Sequence, residues 1–474
     1  MVPQRAPSVA LRRDRKLVLI VIDGLTPSAF EDAIERRTAP ALAFLAGEGS
    51  YRRSLSTFPS LTPVCASSIA TGAHPDVHRI PHLVWYDRDE RRLIEYGSSF
   101  GAVVAAGTRR SIVDTIFNMN GRHLSPEAVT MFEALDDAGL RTAAVNFTCY
   151  RGRTEHRATV PGVARRASGP KRFFYYNLFE SDVTGAPLSV RKRSAGTIDT
   201  YAAAVGRWLV TRDGFDFLVY YLSDYDYASH ALGPDGAAAK LADADRAVAS
   251  LMDAAGGWDH FLSRYEVLLC SDHGQTRVSR ALPLESAYAG LRLFRRGSAD
   301  LAEVAVAASN RAGQVYRLPR CPETARELAE RLDGHEAVDV ALFLEEGDAV
   351  ARRRGEELRF RPELDGWRAE GERAALDHPD GLARAWAALH NPNAGDVLVS
   401  ATGDVEFTDL GGRHHAGGGS HGSLSAGDSE VPMLAVGVDT VPASIVRIAP
   451  AVLEHLGVDP PSYARSFSGA ASGG

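Results

Sequence analysis

The chain has 474 residues, 45% of them apolar and 24% charged, with 53 Lys+Arg against 60 Asp+Glu and a formal net charge of −7. This is globular composition, which excludes collagen-like, mucin-like and wholly disordered chains. The mild acidity argues against a protein that grips nucleic-acid polymers non-specifically, because phosphate contacts need a basic face.

The length implies two or three domain-sized units, or one large core with an insertion. Cys65, Cys149, Cys270 and Cys321 are widely spaced and form no C-x-x-C. That spacing argues against a disulfide framework or a Cys-rich zinc site and fits reduced thiols. A polar stretch, 1–15, is expected to be a flexible N-terminus. It leads into the apolar run from Lys16 to Asp23, which is far short of the roughly 20 residues a membrane span needs. No small-residue cleavage site follows that run. The expectation is a cytoplasmic protein with no membrane span.

Residues 17–22 are continuously apolar and mostly β-branched, the pattern of a strand buried on both faces. Pro27 opens a helix to about Arg37, and a second short helix over about 39–47 ends at Gly47 or Gly49. Val64 to Ala70 reads as the start of a helix. Ser125-Pro126-Glu127 begins another, which runs to Ala138 and stops at Gly139. A strand at about 141–147, a helix at about 197–211, a strand at 217–222, a helix at 237–254 and a strand at 265–270 follow. Such alternation predicts an α/β fold: a doubly wound, mostly parallel sheet with helices on both faces.

Residues 280–394 differ, with short strands at Val304–Ala308 and Val338–Leu344 and helices at about 322–333 and 380–389. They are expected to form an inserted α+β cap subdomain on a core of 16–279 and 395–465. Within that core, buried-strand character returns at Val397–Ser400 and Pro432–Val438, and a last helix covers about 445–456. The small polar tail, 466–474, is expected to be disordered.

Three of the buried strands end in acidic segments: Asp23-Gly24, then Ser223-Asp224-Tyr225-Asp226 with His230, then Ser271-Asp272-His273-Gly274. In open parallel sheets, ligands bind outside the carboxyl ends of the strands. Carboxylates crowded there repel one another unless a cation neutralises them. Carboxylate plus imidazole suits Zn²⁺ or Mn²⁺. Each residue alone has an ordinary explanation, an Asp as a turn or cap residue and a His as a packed core residue. It is the repetition at three strand ends that points to metal.

Thr62-Pro63 puts a hydroxyl at a helix start, where backbone N–H groups favour an alkoxide and bind phosphate oxygens. Thr62 serves equally well as a plain N-cap, and the two roles are compatible. Gly417–Gly422 matches both G-x-G-x-x-G and G-x-S-x-G. It lacks the strand–turn–helix context that either requires. His421 in this loop reads instead as a metal ligand reaching over the sheet edge.

Together these segments resemble the alkaline phosphatase superfamily, and within it the type I phosphodiesterase/nucleotide pyrophosphatase family. Val21-Ile22-Asp23-Gly24, Phe58-Pro59-Ser60-Leu61-Thr62 with Thr71-Gly72, Asp226-x-x-x-His230, Ser271-Asp272-His273-Gly274 and Ser420-His421-Gly422 carry the resemblance. The family places its nucleophile nine residues before the Thr of the Thr-Gly pair, which selects Thr62 over Thr57.

The resemblance implies two Zn²⁺ ions, with Mn²⁺ or another divalent metal as substitutes. One would be held by Asp23, Asp272 and His273 and would contact Thr62. The other would be held by Asp226, His230 and His421. It also implies a small-molecule phosphate ester as substrate, a phosphodiester or nucleotide pyrophosphate, cleaved through a phospho-threonine. A phosphomonoesterase or phosphomutase on the same fold is the alternative, and a non-catalytic metal-binding protein a further one.

The family's Asn three residues after the nucleophile is Cys65 here, which leaves the oxyanion donor open. Sulfatase chemistry is disfavoured, because Cys65-Ala66-Ser67 does not continue as C-x-P-x-R. Trp85, Tyr86, Tyr96, Phe100 and Phe117 are aromatic candidates for stacking on substrate or for plain packing. Phe173–Tyr176 reads as a core strand or a site rim, and His414 and His415 as substrate contacts or loop surface.

Overall fold

The computed structural model describes residues 16–159, 165–176, 178–181, 197–364 and 366–465. The expected flexible N-terminus and polar tail lie outside them. Five parallel strands form the centre of an eight-stranded sheet, in the order Tyr265–Cys270, Lys16–Ile22, Phe217–Leu222, Thr142–Val145, Arg172–Tyr175. Glu430–Val436 runs antiparallel beside Tyr265–Cys270 and pairs with the edge strand Ser50–Leu55. Phe179–Ser181 closes the other edge.

The apolar run at 17–22 is buried on both faces, as its composition predicts. Leu17, Leu19 and Val21 pack with Ile69, Leu135 and Val452 from helices on one side. Val18, Ile20 and Ile22 pack with Phe30, Leu42, Val248 and Phe261 on the other. Each such fully buried side chain contributes roughly 1.5–3 kcal/mol of transfer free energy.

Two local readings change. The helix expected from Ser125 begins at Met131. Thr130 and Glu133 form a capping box there, whereas the Ser125 hydroxyl accepts from the Glu127 N–H in a turn. The reciprocal cap satisfies two helix-end donors, so it sets the start. A helix at Asp224–Leu232 was not anticipated. It places Asp226 and His230 one turn apart on one face.

A second, wholly antiparallel sheet of seven strands spans Val304 to Gly371 together with Val397–Ala401. The Val397–Ala401 strand, assigned to the core from sequence, is hydrogen-bonded inside this second sheet. It lies between Ala312–Arg317 and Val338–Glu345.

Two of the contacts that join the sheets are central to the site. Phe58, from the segment before Thr62, is buried among Val340, Leu342, Leu398 and Ala385. Arg311, only 1% exposed, donates from Nε to Asp428 at 2.9 Å and from Nη1 to the Gly403 and Val405 carbonyls. Asp428 in turn accepts from the Ser423 N–H at 2.8 Å.

Removing one partner of a buried, hydrogen-bonded pair leaves the other charge uncompensated, at a cost of about 3–5 kcal/mol. Arg311→Met should therefore lower the melting temperature markedly. Adding Asp428→Leu should recover part of the loss. A melting temperature unchanged in the single variant would refute the role given to this clamp.

Candidate metal centre and active site

Strand register builds the site. Ile22 lies opposite Leu222, and Val21 lies opposite Cys270. The residues that follow, Asp23, Ser223 and Asp272, therefore emerge side by side at the carboxyl edge. Gly24 sits at φ 69°, and a Cβ there would fall 2.5 Å from an Asp226 oxygen. The turn after the first strand thus needs glycine both for its conformation and for the approach of Asp226.

The loop carrying His421 crosses above. Gly418 lies so close to the His230 carbonyl that a Cβ would stand 2.0 Å from it. Gly419-Ser420 pairs with Thr276-Arg277.

The nucleophile and metal-ligand candidates Asp23, Thr62, Asp226, His230, Asp272, His273 and His421 come together at this edge. Ligand-capable atoms of Asp226, His230 and His421 lie within 4.8 Å of one another, as do those of Asp23, Asp226 and His273. Asp226 therefore belongs to both groups and bridges them. Asp272 lies beside the second group, with an oxygen 3.6 Å from His273 Nε2. The Thr62 hydroxyl lies 3.2 Å from the same nitrogen.

Thr62 is the first residue of the helix Thr62–Thr71, and Leu61 holds the cap position without a side-chain hydrogen bond. The hydroxyl does not cap the helix. It faces His273.

Two features fit the residues to divalent cations. His230, His273 and His421 each donate Nδ1–H to a backbone carbonyl, that of Gly419 at 2.8 Å, Gly274 at 3.0 Å and Ser60 at 2.7 Å. This fixes the tautomer that leaves Nε2 as a lone-pair donor, the usual arrangement for metal-binding imidazoles. Asp23 Oδ1 and Asp272 Oδ2 are buried oxygens with no hydrogen-bond partner among the described residues.

The electrostatics agree. Burial, then the neighbouring carboxylates Asp272 and Asp226, push the Asp23 carboxyl well above its usual range. Burial likewise raises Asp272. Burial would raise Asp226 too, but His230, His421 and His273 outweigh it and hold Asp226 low. A cation between these groups would offset the penalty on Asp23 and Asp272.

Several neighbours were not foreseen. Gln275, directly after Asp272-His273-Gly274, donates its amide to Asp226 and accepts from Ser229. The Tyr221 hydroxyl donates to Asp23. Asn310, from the second sheet, reaches His421 Nε2 at 3.1 Å.

His415 stacks near His230, with ring centroids 4.0 Å apart, and pairs with the buried Glu406 at 3.0 Å. It therefore belongs to the site rim, whereas His414 is exposed. Cys65 is buried with its thiol 3.2 Å from the Ser56 hydroxyl.

Trp85, Tyr86 and Tyr96 are core residues, and Phe117 packs against Phe179. Phe100 is 83% exposed. Tyr176 follows the Arg172–Tyr175 strand at φ 45°, and its phenol is pushed up by burial and by Tyr175, Tyr227 and Asp23. Tyr227, which the sequence did not single out, is likewise raised by burial and by Asp23, Asp226 and Asp224.

The core is alkaline-phosphatase-like, and the site is a cluster of carboxylates and imidazoles that could hold divalent cations. The family model for type I phosphodiesterase/nucleotide pyrophosphatase matches residues 17–424, and the chain belongs to that family.

Among solved structures it is similar to phosphonoacetate hydrolase from Sinorhizobium meliloti 1021 in complex with phosphonoformate. That match has 18% identity and a TM-score of 0.60 over 96% of this chain and 100% of that one. It is also similar to murine ectonucleotide pyrophosphatase/phosphodiesterase 5, at 12% identity and TM-score 0.60 over 94% and 96% of the two chains. An inactive threonine-to-alanine form of the murine protein in complex with AMP matches at 12% identity and TM-score 0.59, with the same coverage. No curated protein sequence matches the chain significantly. Among the described residues, no helix is long and apolar enough to cross a membrane.

Anything that binds the folded state alone stabilises it by mass action, by about 2.7 kcal/mol at one hundred times Kd. Zinc or manganese added to chelator-stripped protein should raise its melting temperature. Asp226→Asn, which weakens both groups at once, should blunt that rise. A melting temperature indifferent to both metals would refute the cation reading.

Proposed function

We propose that the chain is a dizinc hydrolase of phosphate esters, acting on phosphodiesters or nucleotide pyrophosphates through a phospho-threonine intermediate. Asp23, Asp272 and His273 would hold one ion, next to Thr62. Asp226, His230 and His421 would hold the other, and the proximity of Asp226 to His273 ties the two groups together. When bound, the ions supply Lewis acidity that lowers the pKa of a contacting hydroxyl and neutralises charge on the phosphoryl group.

The observation that carries the reading is the Thr62 hydroxyl. It is free of any capping role and stands 3.2 Å from His273 Nε2, at the edge of the ligand cluster. Thr62 Oγ1 attacks phosphorus, the ester oxygen leaves on the opposite side, and the phospho-threonine is then cleaved by water to regenerate the hydroxyl. Placement on the first turn of a helix holds the nucleophile on a rigid backbone and points its N-terminal dipole at the incoming anion. His230, His273 and His421 are kept in one tautomer by their carbonyl partners. The inactive threonine-to-alanine form of the murine relative, bound to AMP, is consistent with a threonine in this role.

Thr62→Ala should bind zinc as the parent does and lose nearly all hydrolysis of bis-p-nitrophenyl phosphate. Parent-like turnover in that variant would exclude Thr62 as nucleophile. Faster release of p-nitrophenol from the monoester than from the diester, in the parent, would instead favour a phosphomonoesterase.

A further inference from the structure

Asn310 sits at the turn between the strands Val304–Ser309 and Ala312–Arg317, 111 residues before His421 in the chain. Its φ is 56°, in the left-handed region that few side chains tolerate and that Asn enters most readily. The side chain is buried. Its Oδ1 accepts from the Ser309 hydroxyl at 3.1 Å, and its Nδ2 lies 3.1 Å from His421 Nε2. His421 donates Nδ1–H to the Ser60 carbonyl, so Nε2 carries a lone pair, and Asn310 must present its NH₂ group to it.

The backbone around Asn310 is fixed to the same loop. The Arg311 N–H donates to the His421 carbonyl at 2.8 Å. The Asn310 carbonyl accepts from the Phe407 N–H at 2.7 Å. The Arg311 guanidinium is locked on Asp428 and two carbonyls. The amide is therefore carried by a short side chain on an immobilised turn. That is what a donor aimed at a reacting centre requires.

Two other polar groups at the site are already committed. The Gln275 amide donates to Asp226, and the Cys65 thiol turns to Ser56.

This step rests on the function proposed above. With His421 Nε2 serving as a metal ligand, its lone pair is no longer available to Asn310. A buried NH₂ group would then stand beside the metal pair without an acceptor, which is costly. The structure assigns Asn310 as the substrate-binding donor that takes a non-bridging oxygen of the phosphoryl group. The second sheet thereby contributes a functional group to the reaction as well as covering the site. A neutral amide leaves the charge balance of the metal pair untouched. It strengthens as negative charge builds on that oxygen.

The test is orthovanadate binding to zinc-loaded protein by calorimetry, with metal content measured on the same samples. Asn310→Ala should keep the parent's metal content and bind vanadate at least ~10-fold more weakly. Its kcat on the diester should fall by about 10²-fold, the scale of losing one oxyanion donor. Asn310→Asp, the same shape without the NH₂, should bind vanadate more weakly still, and it serves if the alanine variant does not fold.

Vanadate affinity within twofold of the parent in either folded variant overturns the assignment. So does weakened binding that tracks the loss of a metal equivalent, which would make Asn310 a support for His421 only. A parent that takes up zinc yet binds no vanadate overturns the hydrolase reading itself, and this assignment with it.

Discussion

Three buried carboxylates meet at one edge of a parallel sheet, and the rest of the structure answers to that crowding. Asp23, Asp226 and Asp272 are placed by strand register and by one helical turn, with two of their oxygens left without a hydrogen-bond partner. No arrangement of neutral side chains offsets that repulsion at low dielectric. The fold surrounds the acids with three imidazoles whose far nitrogens are tied to backbone carbonyls. The same positions that make the cluster unfavourable when empty of charge partners suit it to divalent cations.

The glycines around the site follow from this density. Gly24 makes room for Asp226, and Gly418 lets the His421 loop lie against the end of the Asp224–Leu232 helix. The run Gly417-Gly418-Gly419 therefore serves close backbone passage. Its match to nucleotide-binding and nucleophile-elbow patterns is coincidental, because neither a preceding buried strand nor a following long helix accompanies it.

Much of this was legible in the chain itself. Continuous apolar runs ending in Asp-Gly, Asp-x-x-x-His and Asp-His-Gly give both the parallel sheet and the residues at its carboxyl edge, because strand direction alone decides which end carries the site. What could not be read depends on contacts between distant segments. Gln275 follows a recognised segment, but its partner Asp226 is 49 residues away. Glu406 and Asn310 acquire meaning only once the second sheet is folded against the His421 loop. The Val397–Ala401 strand looks the same in sequence whether it pairs in one sheet or the other, since both bury it on two faces. The Asp224–Leu232 helix escaped notice because its polar residues point at the site, which breaks the usual apolar stripe.

The burial of Phe58 also limits how far the protein can be reduced. The segment that delivers Thr62 has part of its own hydrophobic support in the second sheet, among Val340, Leu342 and Leu398. Cutting away that sheet to obtain a smaller catalyst would expose Phe58, leave Asp428 without Arg311, and unseat the loop that carries His421. The second sheet is thus an integral wall of the site, and its inner strands cannot be treated as a detachable module.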